Sequence, residues 1–580
     1  MSERQYEYVH PAKTITAIRE VVQDTIRESP LVLIHTITGR LLDKTKQASL
    51  FESSPVFQEL VSSMTTHIDY AHIQREVVQY YRYAAFSHTW EDNEPLYDQV
   101  VQIVVYDLEK STTHNKLNMF CKIALDAGLH WAWSDTCCIN KAEHSVLQEA
   151  LVAMFKWYEG SSVTIVFLRG VRSPPRPGDL TRSHWNTRGW TFQEYHASKV
   201  VRFYTEDWKP YLNPDIPNHK LSPKIISEME AVTGVSARAL MSLRPGLEDI
   251  REKLRLASTR RTTRVEDAAY SLLGIFSVSQ PVVYGEGDKA LGRLLAQLVT
   301  SSGDTSILAW TGKAGSFNSC LPASITVFNQ SPTVHIPLAT PSVAVEMLTP
   351  RMRPSSPNFS LVMQLYDRLH GLSVPSFANQ RMRLPCLAFR LGPLVLADHT
   401  ASEYVFRAKA GALGVIVIRT KEDLSQWDSL MLVHPWIDFL LNRQPAGKGA
   451  DSIPDNTNSQ PSSTGQPSWP SGSPNTTPAG KPKTPASRLL SRFGWSSGAG
   501  DADTLQSHSP VSPKDKQVQV LSFIARLRQP FGALLLTPTR RHVEGYRRVS
   551  AESLIIVRVE ELTSTVLGKL IEEACTLDVL

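Results

Sequence analysis

Polar and aromatic side chains that could take part in chemistry stand where short apolar runs of this sequence begin or end. They are Ser87, His88, Trp90, Asp135 and Arg188. A short apolar run that ends in polar residues is typical of a buried parallel strand, and open α/β sheets bind ligands at the carboxyl ends of such strands. We therefore expect these side chains to meet at one edge of a parallel sheet.

Each of these side chains has a chemical and a structural interpretation. Ser87 and His88 could line a nucleotide pocket with Trp90 as its wall, but Ser and His at strand ends also commonly bond the local backbone. Asp135 could accept a hydrogen bond from a ribose hydroxyl, or it could cap the following turn. Arg188 could pair with a phosphate, or with a carboxylate that ties a helix to the sheet.

Glu149 is the strongest candidate for a catalytic carboxylate. The surrounding pattern predicts a helix over 146–158, with Ser145 as N-cap and Gln148 completing a capping box. This helix is apolar around most of its circumference, and Glu149 lies on the narrow polar remainder. Glu149 could project into a crevice beside Asp135, or it could be a solvated residue that the helix dipole stabilises.

Two other patterns are weaker signals. Cys137 and Cys138, close to His88, could supply a thiolate nucleophile, although a free cysteine is usually a small buried hydrophobe. The stretch 285–290 formally matches the dinucleotide-binding pattern G-x-G-x-x-A. Because the run before it is short and its surroundings look helical, we expect its glycines to turn the chain into a helix at 289–299.

Strands and helices alternate in the part of the chain that carries the candidate residues. The predicted strands are 83–86, 131–134, 163–168 and 200–204, and the predicted helices are 117–127, 146–158 and 190–197. This alternation predicts βαβ units and a mostly parallel sheet. Residues 13–66 and 221–300 are expected to be mainly helical. Short β-like runs follow at 359–363, 414–418, 518–521 and 554–559.

The composition is that of an ordinary globular protein, with 42% hydrophobic and 20% charged residues among 580. The formal net charge of +5 and the lack of a long basic run give no support for nucleic-acid binding. None of the six cysteines has metal-site spacing, so no metal is expected. No run approaches the ~20 apolar residues of a membrane helix, and we expect reduced thiols and a cytoplasmic location.

Four blocks of the sequence carry a family resemblance. They are 83–90, 133–141 with the helix 149–158, 188–194 followed by Trp208, and 266–310. The first three resemble the sequence blocks of the HET (heterokaryon incompatibility) domain of filamentous fungi. The fourth is similar to the stretch that follows this domain in many of those proteins. One departure is Glu91, where the family more often has glycine after the tryptophan.

The resemblance implies a function in incompatibility or innate immunity, in which the domain triggers cell death when genetically different hyphae fuse. The fold of the family has been likened to that of TIR domains, some of which cleave NAD. That likeness implies a role for Glu149 comparable to their catalytic glutamate, with NAD as a substrate and no cofactor required. The alternative is a non-catalytic module that signals by self-association. Because the chain lacks a phosphate-binding loop and repeats, we expect a stand-alone effector, or one that has a receptor or allelic incompatibility partner in trans.

The expected fold is α/β, with a TIR-like or flavodoxin-like mostly parallel sheet, helical extensions and a β-rich C-terminal domain. The expected boundaries are 1–78 for a largely helical N-terminal segment, 79–210 for the α/β domain, 211–315 for a helical extension, 316–443 and 517–580 for the two parts of the β-rich domain, and 444–516 for a disordered insertion. The insertion is rich in Ser, Pro, Gly and Thr and has too few apolar residues to form a core.

Overall fold

The computed structural model describes most of the chain. The described residues are 10–212, 214–233, 243–329, 357–436, 520–521, 523–525, 527–539, 545–549, 555–559 and 561–580. The predicted insertion at 444–516 lies outside these residues, and its disorder stays a prediction.

A six-stranded sheet organises the part of the chain that carries the candidate residues. Its strands are β1 (Val32–His35), β2 (Arg40–Asp43), β3 (Tyr83–His88), β4 (Trp131–Trp133), β5 (Val163–Leu168) and β6 (Val201–Thr205). Their order is β2-β1-β4-β3-β5-β6. The last four run parallel to one another, as the sequence predicts. The order of the parallel strands changes direction between β3 and β5, which is the kind of point where α/β sheets open a crevice.

The antiparallel hairpin β1–β2 extends the sheet beside β4. The prediction that residues 13–66 are helical is therefore wrong for this segment. Leu33 and Ile34 are fully buried in β1, and this burial in the sheet outweighs the helical pattern of the sequence around them.

Helices precede the sheet and connect its strands. They are α1 (Pro11–Arg27), α2 (Lys44–Glu52), α3 (Pro55–Ser63), α4 (Tyr70–Tyr80), α5 (Tyr97–Val100), α6 (Thr112–Asp126), α7 (His144–Gly160), α8 (Asp179–Arg182), α9 (His184–Thr187) and α10 (Trp190–Ala197). The predicted capping box of α7 is wrong, because the helix begins at His144 and has Glu143 as its N-cap. The Gln148 side chain instead donates to the carbonyl of Val282, at 2.9 Å.

A helical extension follows the sheet and packs on helices α7 and α10. Its helices are α11 (Pro223–Thr233), α12 (Ile250–Ser258), α13 (Asp267–Tyr270), α14 (Leu273–Phe276) and α15 (Lys289–Ser302). The approach is closest at Gly274 of α14, where a Cβ atom would lie 2.2 Å from Cβ of Phe155 in α7. No side chain larger than hydrogen fits at this position, so the glycine permits the two helices to touch.

The C-terminal region is rich in β-structure, as predicted. Its elements are α16 (Pro357–His370), β7 (Ser376–Ala378), β8 (Arg381–Arg390), β9 (Val395–His399), β10 (Tyr404–Lys409), β11 (Val415–Thr420), β12 (Met431–Pro435), β13 (Phe531–Pro538), β14 (Tyr546–Val549), β15 (Ile555–Val557), α17 (Ser564–Glu573) and β16 (Ala574–Val579). The pairings of β8, β12, β13, β14 and β16 close into a ring, and β9, β10 and β11 form a separate antiparallel sheet.

Two predicted β-runs of this region are wrong. Residues 359–363 lie in α16, because Val362, Leu365 and Leu369 are buried at helical spacing. Of the predicted run 518–521, residues 518 and 519 lie outside the described residues, and residues 520 and 521 are helical. Among the residues that the structure describes, no helix is long and apolar enough to cross a membrane.

Candidate functional site

A cavity of about 530 Å³ opens beside the carboxyl ends of β3 and β4. Its volume is typical of sites that hold small organic ligands. Its aliphatic side is formed by Ile139, Leu147, Leu151 and Met154, its aromatic side chains are Trp90, Trp190 and Tyr284, and its charged ones are Asp135, Lys141, Arg188, Arg261, Arg264 and Asp267. Four cationic side chains against two acidic ones make the lining electropositive, which favours an anionic ligand.

Trp90 is the centre of a cluster of charged groups. Its indole Nε1 donates a hydrogen bond to Oδ2 of Asp135 at 2.9 Å. The ammonium of Lys141 lies 3.8 Å from the ring centroid, and the guanidinium carbon of Arg188 lies 5.3 Å from it. Both distances are those of cation–π contacts. Since Trp90 is still 41% exposed, part of its surface remains open to a ligand.

His88 lies behind Asp135 and is almost completely buried. Its Nε2 is 3.4 Å from Oδ1 of Asp135, without the geometry of a hydrogen bond. Burial, with the charges of Lys116, Arg188 and Lys141, holds the pKa of His88 well below its usual value. The ring is therefore neutral at pH 7. The contact between the two residues joins a neutral imidazole to a carboxylate and is not an ion pair.

Three buried polar atoms of this pair have no hydrogen-bond partner in the described part of the chain. They are Nδ1 and Nε2 of His88 and Oδ1 of Asp135. Buried polar atoms are nearly always hydrogen-bonded in folded proteins, and exceptions often mark functional sites. Asp135 lines the cavity, but His88 does not, so the expectation that His88 lines it is wrong. A ligand hydroxyl that reached the buried Oδ1 of Asp135 would satisfy this oxygen.

Ser87 does not line the cavity, and the expectation that it does is wrong. Its fully buried hydroxyl donates to Oε2 of Glu194 at 2.5 Å and accepts from Nε1 of Trp185 at 2.7 Å. Burial and the nearby charge of Asp135 raise the pKa of Glu194 to about 7. Ser87 thus links β3 to α9 and α10, and its buried hydroxyl is not accessible to a substrate in the cavity.

Trp185 is a central group that the sequence did not single out, and Glu194 was expected only as the last residue of the block 188–194 and as a carboxylate that could pair with Arg188. The sequence suggests a structural pair between Arg188 and a carboxylate of α10, whereas Arg188 donates to the carbonyl of His88 at 2.8 Å. The only available signal was the place of Glu194 in the first turns of a helix next to the predicted site. Its bond to Ser87 depends on the packing of α10 against β3.

The second wall of the cavity comes from the helical extension. The loop 261–264 runs along the segment before α10, where N–H of Arg261 donates to the carbonyl of Thr187 at 2.7 Å. N–H of Gly189 returns a bond to the carbonyl of Arg261 at 2.8 Å. A Cβ atom on Gly189 would lie 2.5 Å from Cγ2 of Thr262. The glycine is therefore needed for the close approach that places Arg261 at the cavity.

The buried guanidinium of Arg260 ties the loop 261–264 to the start of α10. It donates to Oγ1 of Thr191 at 2.9 Å and to the carbonyl of Arg188 at 3.2 Å. Burial lowers the pKa of Arg260 to about 10, so the group stays charged at neutral pH. The two neighbouring cations, Arg261 and Arg264, are exposed at the cavity, and the loop presents them there in a fixed arrangement.

Asp267 and Tyr284 complete the wall. The Tyr284 hydroxyl donates to Oδ1 of Asp267 at 3.0 Å, and the guanidinium carbon of Arg264 lies 4.3 Å from the Tyr284 ring centroid. Burial raises the pKa of Asp267, although hydrogen bonds from Trp190 and Tyr284 oppose the shift. Trp190 is only half-buried. Trp190 also lines the cavity, so its ring contributes to the site as well as to the core.

Glu149 lies outside the cavity, and the expectation that it projects into a crevice beside Asp135 is wrong. Helix α7 turns Leu147, Leu151 and Met154 toward the cavity. Glu149 is two residues from Leu147, which places it about 200° around the helix axis. It is exposed on that side.

The two weaker motifs also have structural explanations. Oε1 of Glu266 accepts from N–H of Gly285 at 2.8 Å and from N–H of Gly287 at 3.1 Å. These amides are therefore occupied by the chain's own carboxylate, and the loop turns into α15 as expected. Cys138 is buried, and burial raises its pKa well above the usual value. Its thiol is protonated and not activated as a nucleophile.

The comparisons with known proteins match the part of the chain that carries β3, β4 and α7. The family model described as heterokaryon incompatibility protein (HET) matches residues 83–176. The vegetative incompatibility protein HET-E-1 of Podospora anserina is 32% identical over 235 residues, which cover 38% of this chain and 16% of that protein. No solved structure matches the chain. The matched residues include β3, β4, α7 and β5, so the resemblance seen in the sequence is confirmed, and the chain carries a domain of the heterokaryon incompatibility (HET) family.

Proposed function

We propose that this protein acts in heterokaryon incompatibility, that it triggers regulated cell death, and that its cavity binds and cleaves NAD. The HET domain supports the first part, together with the similarity to a protein named for vegetative incompatibility. The lining of the cavity supports the enzymatic part. An activating receptor or allelic partner acts in trans in this proposal, and a cytoplasmic location fits the six free cysteines.

The observation that carries the enzymatic proposal is the combination of cations, aromatic rings and a carboxylate with an unpaired oxygen in the lining of one cavity. The diphosphate of a dinucleotide matches the guanidinium groups of Arg261 and Arg264, since guanidinium binds phosphate through paired hydrogen bonds. The open surface of Trp90 offers a stacking face for a base or for nicotinamide. The unpaired oxygen of Asp135 offers an acceptor for a ribose hydroxyl.

Asp135 takes the catalytic role that the sequence suggested for Glu149. Cleavage breaks the bond between the ribose C1′ and the nicotinamide nitrogen, water supplies the new hydroxyl, and the products are ADP-ribose, nicotinamide and a proton. Positive charge develops on the ribose as the bond breaks, and a carboxylate fixed beside it lowers the barrier. The Trp90 hydrogen bond fixes Asp135 in place, and neutral His88 packs behind it without competing for its charge.

The arrangement of the sheet supports the finer fold assignment within this proposal. The four parallel strands follow the order of a flavodoxin-like sheet, in which the first strand is flanked by the second and the third. The cavity lies at the carboxyl ends of two of these strands. We therefore assign a flavodoxin-like sheet of the TIR type, extended by the β1–β2 hairpin.

The test is NAD turnover by the purified full chain, alone and under enforced clustering. We expect Asp135→Asn to lower the rate by about 100-fold or more, because an amide cannot stabilise the developing charge as a carboxylate does. Glu149→Gln should retain the parent rate, since Glu149 lies outside the cavity. A folded Asp135→Asn protein with the parent rate would remove Asp135 from the mechanism. Loss of turnover in Glu149→Gln would return the catalytic role to the surface of α7.

A second candidate function, self-association without catalysis, is supported by a different surface. Val395 and Val415 are 62% and 67% exposed on the sheet of β9, β10 and β11. Among the described residues, β9 pairs with β10 alone. An exposed apolar strand with a free edge is a template for pairing with another chain. If Asp135→Asn still kills cells while Val395→Lys and Val415→Lys together abolish both oligomers and death, the non-catalytic function replaces the enzymatic one.

A further inference from the structure

Two cysteines face each other across neighbouring strands of the C-terminal ring. Cys386 in β8 and Cys575 in β16 are direct register partners in an antiparallel pair. Direct partners on neighbouring antiparallel strands project from the same face of the sheet, with Cβ atoms about 4.5–5.5 Å apart. A disulfide needs a Cβ separation slightly below this range. The two thiols are therefore placed where a small adjustment of the backbone would allow a bond between them.

The surroundings make the two thiols chemically unequal. Cys386 is fully buried, whereas Cys575 is only partly buried. The contact between the two thiols lowers the pKa of Cys575 and raises that of Cys386 well above its usual value. The positive charge of Arg368 in α16 lowers the pKa of Cys575 further. Arg368 is held beside the strand by its hydrogen bond to the carbonyl of Ala574, at 3.3 Å.

This asymmetry is the arrangement of a reacting thiol and a resolving thiol. A cysteine that responds to peroxide is accessible, carries thiolate character and has a second cysteine within reach. Cys575 has the first two properties, and Cys386 is the second cysteine. The other four thiols differ, since Cys121, Cys137, Cys138 and Cys320 are all buried.

We propose that Cys386 and Cys575 form a peroxide-responsive thiol pair, in which Cys575 reacts with a hydroperoxide and Cys386 then closes a disulfide. The pair lies outside the HET domain and is independent of the function proposed for the cavity.

The reaction has two balanced steps. First, the Cys575 thiolate attacks an oxygen of hydrogen peroxide, the O–O bond breaks, and the leaving hydroxide takes a proton to become water. Sulfur is oxidised to a sulfenic acid, and the peroxide is reduced. Second, the Cys386 sulfur attacks the Cys575 sulfur, the S–O bond breaks, and the oxygen leaves as water with the Cys386 proton. One peroxide and two thiols thus give one disulfide and two waters.

The bond would fix the last strand of the described ring. Cys575 is in β16, which pairs with β8 along its whole length. The carbonyl of Val579 in the same strand accepts from the Asn318 side chain at 2.9 Å. A disulfide at 386–575 therefore ties the end of the chain to β8 and holds the contact at Asn318 in place.

The experiment treats the purified full chain with hydrogen peroxide near stoichiometry, counts thiols and maps cross-links by mass spectrometry without reduction. We expect the loss of two of the six thiols, a cross-link between the peptides that contain residues 386 and 575, and full reversal by dithiothreitol. Cys575→Ser should abolish the reaction. Cys386→Ser should leave a sulfenic acid on Cys575 that dimedone traps.

The control is Cys320→Ala, which removes another buried thiol near the pair and should leave the cross-link intact. A measurement on the unmodified chain guards against variants that fail to fold: iodoacetamide should alkylate Cys575 at least 10-fold faster than Cys138. Alkylation of both at equal rates, or a cross-link that survives Cys575→Ser, would overturn the proposal.

Discussion

Glu194 is a carboxyl group that keeps its proton to a higher pH in the folded protein than in the unfolded chain. It is fully enclosed between Ser87, Arg260 and the charge of Asp135, and its pKa is raised to about 7. In the unfolded chain the same group ionises at its ordinary pKa. Between these two values the native state holds a proton that the unfolded state has lost, so the contribution of Glu194 to stability falls as the pH rises.

Glu194→Gln should isolate this effect, because glutamine has the same shape and does not titrate. From pH 5 to pH 8 we expect the stability of the variant relative to the parent to rise by about 2–3 kcal/mol. The measurement is urea unfolding at both pH values. The exposed Glu159 in α7 supplies the control, and Glu159→Gln should show no such change. A stability difference independent of pH would show that Glu194 is ionised throughout.

Trp133, two residues before Asp135 in the sequence, and Trp90, which donates a hydrogen bond to Asp135, should respond differently to truncation. Trp133 is fully buried against Trp157 and Tyr158, and we expect Trp133→Ala to cost about 3–5 kcal/mol of unfolding free energy through lost burial and a cavity. Trp90→Ala should cost much less but should abolish nucleotide binding in the cavity. Calorimetric unfolding and NAD titration of both variants provide the test. Equal losses of stability would place Trp90 in the core.

At the scale of elements, Gly189, between α9 and α10, sets how closely the loop 261–264 of the helical extension approaches α10. Gly189→Ala would place a methyl group 2.5 Å from Cγ2 of Thr262. Since the backbone at Gly189 is in the ordinary helical region, the cost is steric alone, and we expect about 1–3 kcal/mol from overpacking.

The matched rescue is Gly189→Ala combined with Thr262→Ser, which removes the clashing methyl group and keeps the hydroxyl bond to the Arg264 carbonyl. Thermal unfolding should recover most of the lost stability in the double variant. A loss that Thr262→Ser does not relieve would locate the strain elsewhere in the 187–189 segment.

The elements that the sequence predicted best are those whose own residues dictate them. Strand β5 and helix α10 have the predicted bounds, because a run of β-branched residues and a short helical block are local signals. Residues 359–363 were misassigned because a short apolar run fits both a strand and a buried helix. The hairpin β1–β2 could not be distinguished from its helical surroundings, since its burial depends on pairing with β4, about a hundred residues further along the chain.

Only part of the candidate site could be predicted from the sequence, because the rest of it depends on contacts between segments that are distant in the sequence. Trp90, Asp135 and Arg188 stand at the ends of recognisable elements, and they do line the cavity. Arg261 and Arg264 of the opposite wall carry no local pattern that marks them, whereas Asp267 and Tyr284 lie in the sequence block 266–310 but were not predicted to line a site. Their place in the site follows from the docking of a distant segment through Arg260 and Gly189. The prediction for Glu149 was wrong because the helical pattern shows on which face of α7 the residue lies, but not which other parts of the protein that face meets.

At the scale of the whole molecule, the long insertion predicted at 444–516 interrupts the C-terminal ring between two neighbouring strands. Strand β12 precedes it and β13 follows it, and these strands pair directly with each other. The entropy of closing a loop grows only with the logarithm of its length. Deleting 444–516 should therefore leave the melting temperature within a few degrees of the parent. Cooperative loss of structure in circular dichroism on deletion would show that the segment belongs to the fold.

The cavity with walls from two segments has a thermodynamic consequence. A molecule bound there touches both the sheet and the loop 261–264, so its binding and the docking of the extension are linked equilibria. Linkage is reciprocal: by whatever factor the bound molecule strengthens docking, docking strengthens its affinity. A partner that pulls the extension away from Arg188 would lower the affinity of the cavity for its ligand without contacting the cavity. A partner that presses the extension toward Arg188 would raise that affinity. A partner that moves the extension at the Gly189 contact would therefore change the fraction of protein molecules that hold a ligand in the cavity.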